Sequence, residues 1–211
     1  MRSIFSAANS QLEAPTQVIW LPGAYHRAQD FEQEGFARAV KQRRKSVDLR
    51  FVDLEMQHLN DLDALERLHS EIIGPARASG ASVWLAGISL GGLVALDYAS
   101  THSDEIDGLC LLAPYLGNRM LINEIAAAGL GAWEPGELAE SDAERRIWRY
   151  IKTRVDSRPM FLGYGQDDRF STAHALLAAA LPANSVFVVA GGHEWHTWTR
   201  LWENFLDSHF A

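Results

Sequence analysis

The stretch WLAGISLGGLVAL, residues 84–96, joins an apolar, strand-like run to a helix-like run through the pentapeptide GISLG. Glycines at positions 87 and 91 let a strand and a helix approach closely around a strained turn, so that Ser89 projects its hydroxyl at one edge of a sheet. A dinucleotide fingerprint would need glycine at position 89, and a P-loop would need Lys and Ser or Thr at positions 93 and 94, which are Leu and Val. The stretch therefore predicts a nucleophilic serine, with a small-residue turn and an incidental serine as the alternative.

Short apolar runs alternate with amphipathic stretches along almost the whole chain, and this alternation predicts an α/β fold whose mostly parallel sheet has helices on both faces. The predicted strands are 17–21, 47–53, 82–87, 106–113, 158–163 and 185–190, and the predicted helices are 28–44, 60–79, 90–102, 171–180 and 195–208. Gly74-Pro75 is expected to kink or end the second helix. The segment 115–157 is longer than the connection between two strands that the alternation requires. It is interpreted as a small helical insertion within a single domain, 1–211. Inside it, Ser141 and Glu144 are spaced as a capping box for an amphipathic helix.

Composition and charge exclude several classes of function. The 211 residues carry a formal net charge of −8, which argues against nucleic acid as a partner because nucleic-acid binding needs clustered cations. A single cysteine, Cys110, leaves no disulfide framework and no zinc pattern, and we expect neither a metal nor another cofactor. No run is long enough to cross a bilayer and no signal-like apolar segment stands at the beginning, so the expected location is the cytoplasm. Monomer and homodimer both remain open.

A serine hydroxyl becomes a strong nucleophile only when a base removes its proton and a third group orients that base. The segment GYGQDDRF, residues 163–170, supplies two carboxylates at the end of the fifth predicted strand. The segment GGHEWHTW, residues 191–198, supplies two histidines just beyond the sixth. The order along the chain is therefore serine, acid, histidine, with the choice between neighbours open in both segments.

With LPGAYH at residues 21–26, GISLGG at 87–92 and the two later segments, the sequence resembles the α/β-hydrolase superfamily, specifically its small, nearly capless esterase-like members. The resemblance spans about residues 17–210. It implies a three-layer α/β-hydrolase fold in which Ser89 is the nucleophile, His193 the base and Asp168 the orienting acid. Asp167 is the runner-up for the acid, and His196 is expected to lie at the surface or behind the base.

The resemblance also implies an oxyanion hole formed by the N–H of Leu90 and by one N–H from the loop after the first predicted strand. Ala24 is the favoured second donor, with Tyr25 as the alternative. The tail before Gln17 looks too short for the hairpin that usually precedes this point in the family, which predicts a reduced sheet of about six strands.

The expected reaction is hydrolysis of a carboxylic ester through an acyl-enzyme. A thioesterase or acyltransferase would use the same groups, and a non-catalytic member of the fold that binds a ligand or partner is the alternative from a different class. A substrate pocket is expected where the insertion meets the serine turn. Its candidate wall residues are Tyr25, Tyr115, Leu116, Trp133 and Trp148, for which core packing is the competing interpretation.

Overall fold

The computed structural model describes residues 1–9, 11, 13–54, 62–139, 141–154 and 158–210. Its central sheet has the order β1-β3-β2-β4-β5-β6-β7. The strands are β1 Ser3–Ser6, β2 Thr16–Leu21, β3 Val47–Val52, β4 Ser82–Ile88, β5 Gly108–Leu112, β6 Met160–Gly165 and β7 Val186–Val189. All neighbouring strands are parallel except β1, which runs antiparallel to β3. The carboxyl ends of β2 to β7 therefore lie at the same edge of the sheet, and the loops that follow these strands begin there.

The prediction of about six strands is corrected by one, because the tail before Gln17 forms β1. Ser3 pairs with Val52 and Ser6 with Leu49, so β1 covers the edge of β3. The chain that returns from β1 is held by the buried Asp48 carboxylate, which accepts the N–H groups of Ala8 and Ala14 at 2.8 and 3.0 Å. A four-residue strand of this kind depends on its partner strand and on a distant carboxylate, neither of which is visible in the local pattern.

Helices cover both faces of the sheet. They are α1 Ala28–Gln33, α2 Phe36–Gln42, α3 Leu62–Leu68, α4 Gly74–Ala78, α5 Leu90–Thr101, α6 Arg119–Ala128, α7 Ala143–Thr153, α8 Ser171–Ala179 and α9 Trp195–His209. Successive strand residues enter opposite cores: Val18 and Trp20 pack with α1, α2 and α9, whereas Ile19 and Leu21 pack with α3 to α8. This alternation along a strand produces the three layers that the sequence predicts.

Two predicted helices are interrupted. The helix expected over 28–44 is divided into α1 and α2 by Gly35, which adopts a left-handed conformation with φ of 84°. The helix expected over 60–79 contains a π-helical turn, His69–Ile73, directly before Gly74 and Pro75. This wider turn accommodates a proline that lacks an N–H donor and crowds the preceding turn. Residues 55–61 of this region lie outside the described part of the chain.

The insertion contributes α6 and α7, of which only the second is predicted from the pattern. The predicted capping box is wrong, because Asp142 rather than Ser141 caps α7 by accepting the N–H of Arg145 at 3.0 Å. Glu144 instead accepts hydrogen bonds from the Tyr115 hydroxyl and the Asn118 side chain, at 2.8 and 2.6 Å. These contacts fold the insertion back onto the loop that follows β5.

Candidate active site

Ser89 lies between the last residue of β4 and the first residue of α5, in a strained backbone conformation with φ of 52° and ψ of −114°. Such angles are rare for residues other than glycine and need support from the surroundings. The two flanking glycines permit the turn, because a Cβ at position 87 would lie 2.2 Å from the carbonyl oxygen of Gly91. The Ser89 N–H donates to the carbonyl of Leu112 at 3.0 Å, which ties the turn to the end of β5.

The structure brings together the three side chains that the sequence assigns to acyl transfer. His193 Nε2 lies 2.9 Å from Ser89 Oγ, and His193 Nδ1 lies 2.7 Å from Asp168 Oδ2. The second oxygen of Asp168 accepts the N–H of Phe170 at 2.8 Å. Because an ionised carboxylate can only accept, Nδ1 carries the proton and the Nε2 lone pair faces the serine hydroxyl.

The environment keeps Asp168 ionised. Burial alone would raise the pKa of this carboxyl, but the hydrogen bonds from His193 and from the Phe170 N–H hold the pKa below its ordinary value. The Asp168 side chain is fully buried, whereas that of His193 retains 11% of its exposure. Asp167, the runner-up, is exposed, and so is His196. Of the two pairs of neighbours, Asp168 and His193 are the members that contact each other.

The loop after β2 passes close to the serine. A Cβ built at Gly23 would lie 3.5 Å from Ser89 Cβ, and Gly23 O accepts the N–H of His26 at 3.1 Å, closing a tight turn. Tyr25 within this turn has a φ of 68°, and its side chain is 91% exposed. The backbone of Ala24 thus lies in the segment beside the serine, and Leu90 begins α5 on the other side.

Two aromatic rings that the sequence analysis does not assign pack against His193. Phe170 packs edge-on against His193 with ring centroids 5.2 Å apart, and Trp198 does so at 5.1 Å. His26 contacts Trp195 at 4.9 Å, which connects the loop after β2 with the start of α9. Phe170 stands two residues after Asp168 in GYGQDDRF, so the sequence itself places an aromatic residue close to the predicted acid.

The predicted pocket residues separate into two groups. Tyr115 lies at the site: its N–H donates to the carbonyl of Ser89 at 2.8 Å, and its ring packs against Phe170 at 5.6 Å. Burial and the hydrogen bond to Glu144 raise the pKa of Tyr115 to about 12, so its phenol remains a neutral donor. Tyr25 is exposed next to the same site.

Leu116, Trp133 and Trp148 instead belong to the core beneath the insertion, with relative exposures of 1%, 2% and 0%. The indole of Trp148 donates to the Leu116 carbonyl at 2.7 Å. Their side chains pack into the interior, as the competing interpretation of core packing expects.

Within the residues that the structure describes, no group of three or more His, Cys, Asp or Glu side chains is arranged to hold a metal ion. None of the helices described is long and apolar enough to cross a membrane.

Comparison with known proteins gives a family match over most of the chain. A model described as the alpha/beta hydrolase family matches residues 18–206. A search of curated protein sequences finds no match. Among solved structures, FphF, a fluorophosphonate-binding serine hydrolase of Staphylococcus aureus, is 13% identical with a TM-score of 0.67, over 94% of this chain and 86% of that one. Est1E from Butyrivibrio proteoclasticus is 16% identical with a TM-score of 0.64, over 97% and 92% of the two chains. A thermophilic esterase from Thermogutta terrifontis is 14% identical with a TM-score of 0.62, over 98% and 91%.

Proposed function

Because the chain belongs to the alpha/beta hydrolase family, we propose that it is a serine hydrolase that cleaves a carboxylic ester of a small molecule through an acyl-enzyme on Ser89. The observation that carries this proposal is the continuous line of hydrogen bonds from Asp168 through His193 to Ser89, at 2.7 and 2.9 Å. A nucleophile, a base and an orienting acid within hydrogen-bond reach of one another are what acyl transfer requires.

In the proposed mechanism, Ser89 Oγ attacks the ester carbonyl carbon while His193 Nε2 accepts the hydroxyl proton. Asp168 orients the imidazole and stabilises the imidazolium that forms. The tetrahedral intermediate collapses when the carbonyl re-forms, the alcohol departs and His193 returns the proton to it. A water molecule, deprotonated by the same imidazole, then attacks the acyl-enzyme and releases the acid.

The N–H groups of Leu90 and Ala24 are proposed to donate to the oxyanion of each tetrahedral intermediate. Leu90 is the first residue of α5, where N–H groups have no partner within the helix and the helix dipole is positive. The tight turn closed by His26 holds the Ala24 segment next to Ser89. Tyr25 and Tyr115 are proposed to contact the substrate beside the reacting carbonyl.

The experiment that tests the proposal is intact-mass analysis after treatment with a fluorophosphonate probe. We expect one label on the wild type and none on Ser89→Ala or His193→Ala. Ser70→Ala is the matched control, because this serine is exposed on the π-helical turn and its hydroxyl donates to Glu66 O; it should label like the wild type.

Turnover of 4-nitrophenyl esters and matched thioesters of graded acyl length then distinguishes an esterase from a thioesterase. Loss of the serine should reduce kcat by ~10⁴ to 10⁶. The proposal is overturned if the well-folded wild type is not labelled, or if Ser89→Ala keeps its label and its turnover; a binding protein of the same fold would then be the better description.

A further inference from the structure

A short segment behind the nucleophile holds its backbone from both sides. The Ser89 N–H donates to Leu112 O at 3.0 Å, and the Tyr115 N–H donates to Ser89 O at 2.8 Å. Between these two bonds, Ala113 adopts a φ of 46°, a strained value for a residue with a Cβ. The conformation of the strained serine therefore depends on a second strained residue, and both need support from outside the segment.

That support comes from two hydrogen bonds. The Ala113 N–H donates to Gly163 O of β6 at 2.7 Å. The side chain of His174 in α8 lies with its Nε2 2.9 Å from Pro114 O. Because a carbonyl can only accept, Nε2 carries the proton in this bond and donates it.

His174 is completely buried, with a relative exposure of 0%. Burial lowers the pKa of His174, against the opposing effects of Asp168 and the Pro114 carbonyl, so the ring is neutral near pH 7. The ring packs against Tyr164 with centroids 4.9 Å apart. An imidazole is more costly to bury than a hydrocarbon ring of similar size, and its Nε2–H bond to Pro114 is the contribution that a hydrocarbon could not make.

The helix that carries His174 starts directly after the acid. The Ser171 N–H donates to Asp168 O at 2.9 Å, and the His174 N–H donates to Phe170 O at 3.1 Å. The seven residues from Asp168 to His174 thus hold the acid at one end and the Pro114 carbonyl at the other. Displacement of this segment would move the acid and the serine backbone together.

We propose that His174 is a positioning residue for the nucleophile: its Nε2–H···O=C bond to Pro114 fixes the Leu112–Tyr115 segment, and through it the strained conformation of Ser89. The proposal rests on the proposed function of Ser89 as the nucleophile. It concerns the rate of reaction of the serine and not the binding of substrate, because His174 is buried behind the turn.

The test compares two substitutions at this position with a control in the same helix. His174→Phe keeps an aromatic ring but removes the donor, whereas His174→Gln places an amide N–H near the position of Nε2. Leu177→Ala is the control, because Leu177 is also fully buried in α8 and its truncation lowers stability without removing a hydrogen bond to Pro114. The rate constant of fluorophosphonate labelling, kcat and KM for an ester, and the thermal midpoint are measured for each protein.

We expect His174→Phe to label at least tenfold more slowly and to lose kcat with KM within threefold of the wild type. His174→Gln should regain most of the rate, and Leu177→Ala should label at the wild-type rate despite a lower thermal midpoint. His174→Met replaces the phenylalanine variant if the latter does not fold, with the same expected loss.

Equal rates for His174→Phe and the wild type, or equal slowing by His174→Gln and His174→Phe, would overturn the inference. Labelling of the wild type in the same series keeps this result separate from a failure of the proposed function, which would abolish labelling of every protein.

Discussion

Gly91→Ala is expected to disturb the proposed oxyanion hole while Ser89, Asp168 and His193 are all retained. A Cβ at position 91 would lie 2.2 Å from the carbonyl oxygen of Leu21 and 2.7 Å from that of Pro22. Such contacts do not occur below 3.0 Å, so α5 and the end of β2 would have to separate by about 0.8 Å. Both groups are backbone, and no side chain can rotate away to relieve the clash.

The separation falls between the two proposed oxyanion donors, because Leu90 precedes Gly91 and Ala24 follows Pro22 by two residues. A displacement of about 1 Å at a reacting centre can cost ~10² in rate, and the loss of one oxyanion donor costs ~10² to 10³. We therefore expect kcat/KM for an ester to fall by about 10², together with a loss of about 1–3 kcal/mol in the free energy of unfolding from overpacking.

The measurement is ester turnover with chemical denaturation of the same samples. Gly131→Ala serves as the matched control, because a Cβ at position 131 meets no atom within 4 Å. If Gly91→Ala keeps its turnover within threefold of the wild type and unfolds at the wild-type denaturant concentration, the argument from close packing at this glycine is refuted.

Three further outcomes are expected. Asp168→Asn should lower kcat by ~10⁴ because the amide no longer orients the base, whereas the exposed Asp167→Asn should leave steady-state turnover within twofold. Arg146→Ala should lower the free energy of unfolding by about 3–5 kcal/mol in urea titration, because Asp97, whose side chain is 10% exposed, loses the guanidinium that it contacts at 2.6 Å; an unchanged urea midpoint would contradict this. Burial holds the pKa of His174 below 6.5, so the unfolded chain binds protons first as the pH falls and stability decreases below about pH 6.5. The urea midpoint should therefore be lower at about pH 5 than at about pH 7, and His174→Gln should reduce this difference.

The sequence predicts the positions of the candidate site residues in more detail than the structure around them, because each of these residues follows a strand. Ser89, Asp168 and His193 each come after an apolar run, and parallel strands deliver their following loops to one edge of the sheet. The pairing of Asp168 rather than Asp167 with the base depends on which side chain faces inward. The family spacing predicts this, and the burial of Asp168 gives the physical reason.

The remaining errors concern features that depend on partners distant in sequence. Strand β1 pairs with β3, and the Asp48 carboxylate accepts hydrogen bonds from the chain that follows β1. The four residues of β1 alone therefore do not predict a strand. Trp148 lies within the insertion, and its amphipathic helix α7 turns the indole into the core, where Leu116 O accepts its N–H. The face of the helix on which a large aromatic residue stands decides whether its ring packs into the core, and its position along the chain does not.

The insertion leaves the sheet after β5 and returns at β6, two strands that pair directly with each other, Leu109 opposite Met160. Its two ends are thus fixed by the sheet, and the part of it that the structure describes, 115–139, 141–154 and 158–159, contributes helices α6 and α7 and no strand. A longer or shorter segment can be joined at the same two points without altering any strand register. Tyr115, at one of these points, donates its N–H to the carbonyl of Ser89. Exchange of this segment would therefore alter the surroundings of Tyr115 and leave the strands that precede Ser89, Asp168 and His193 in register.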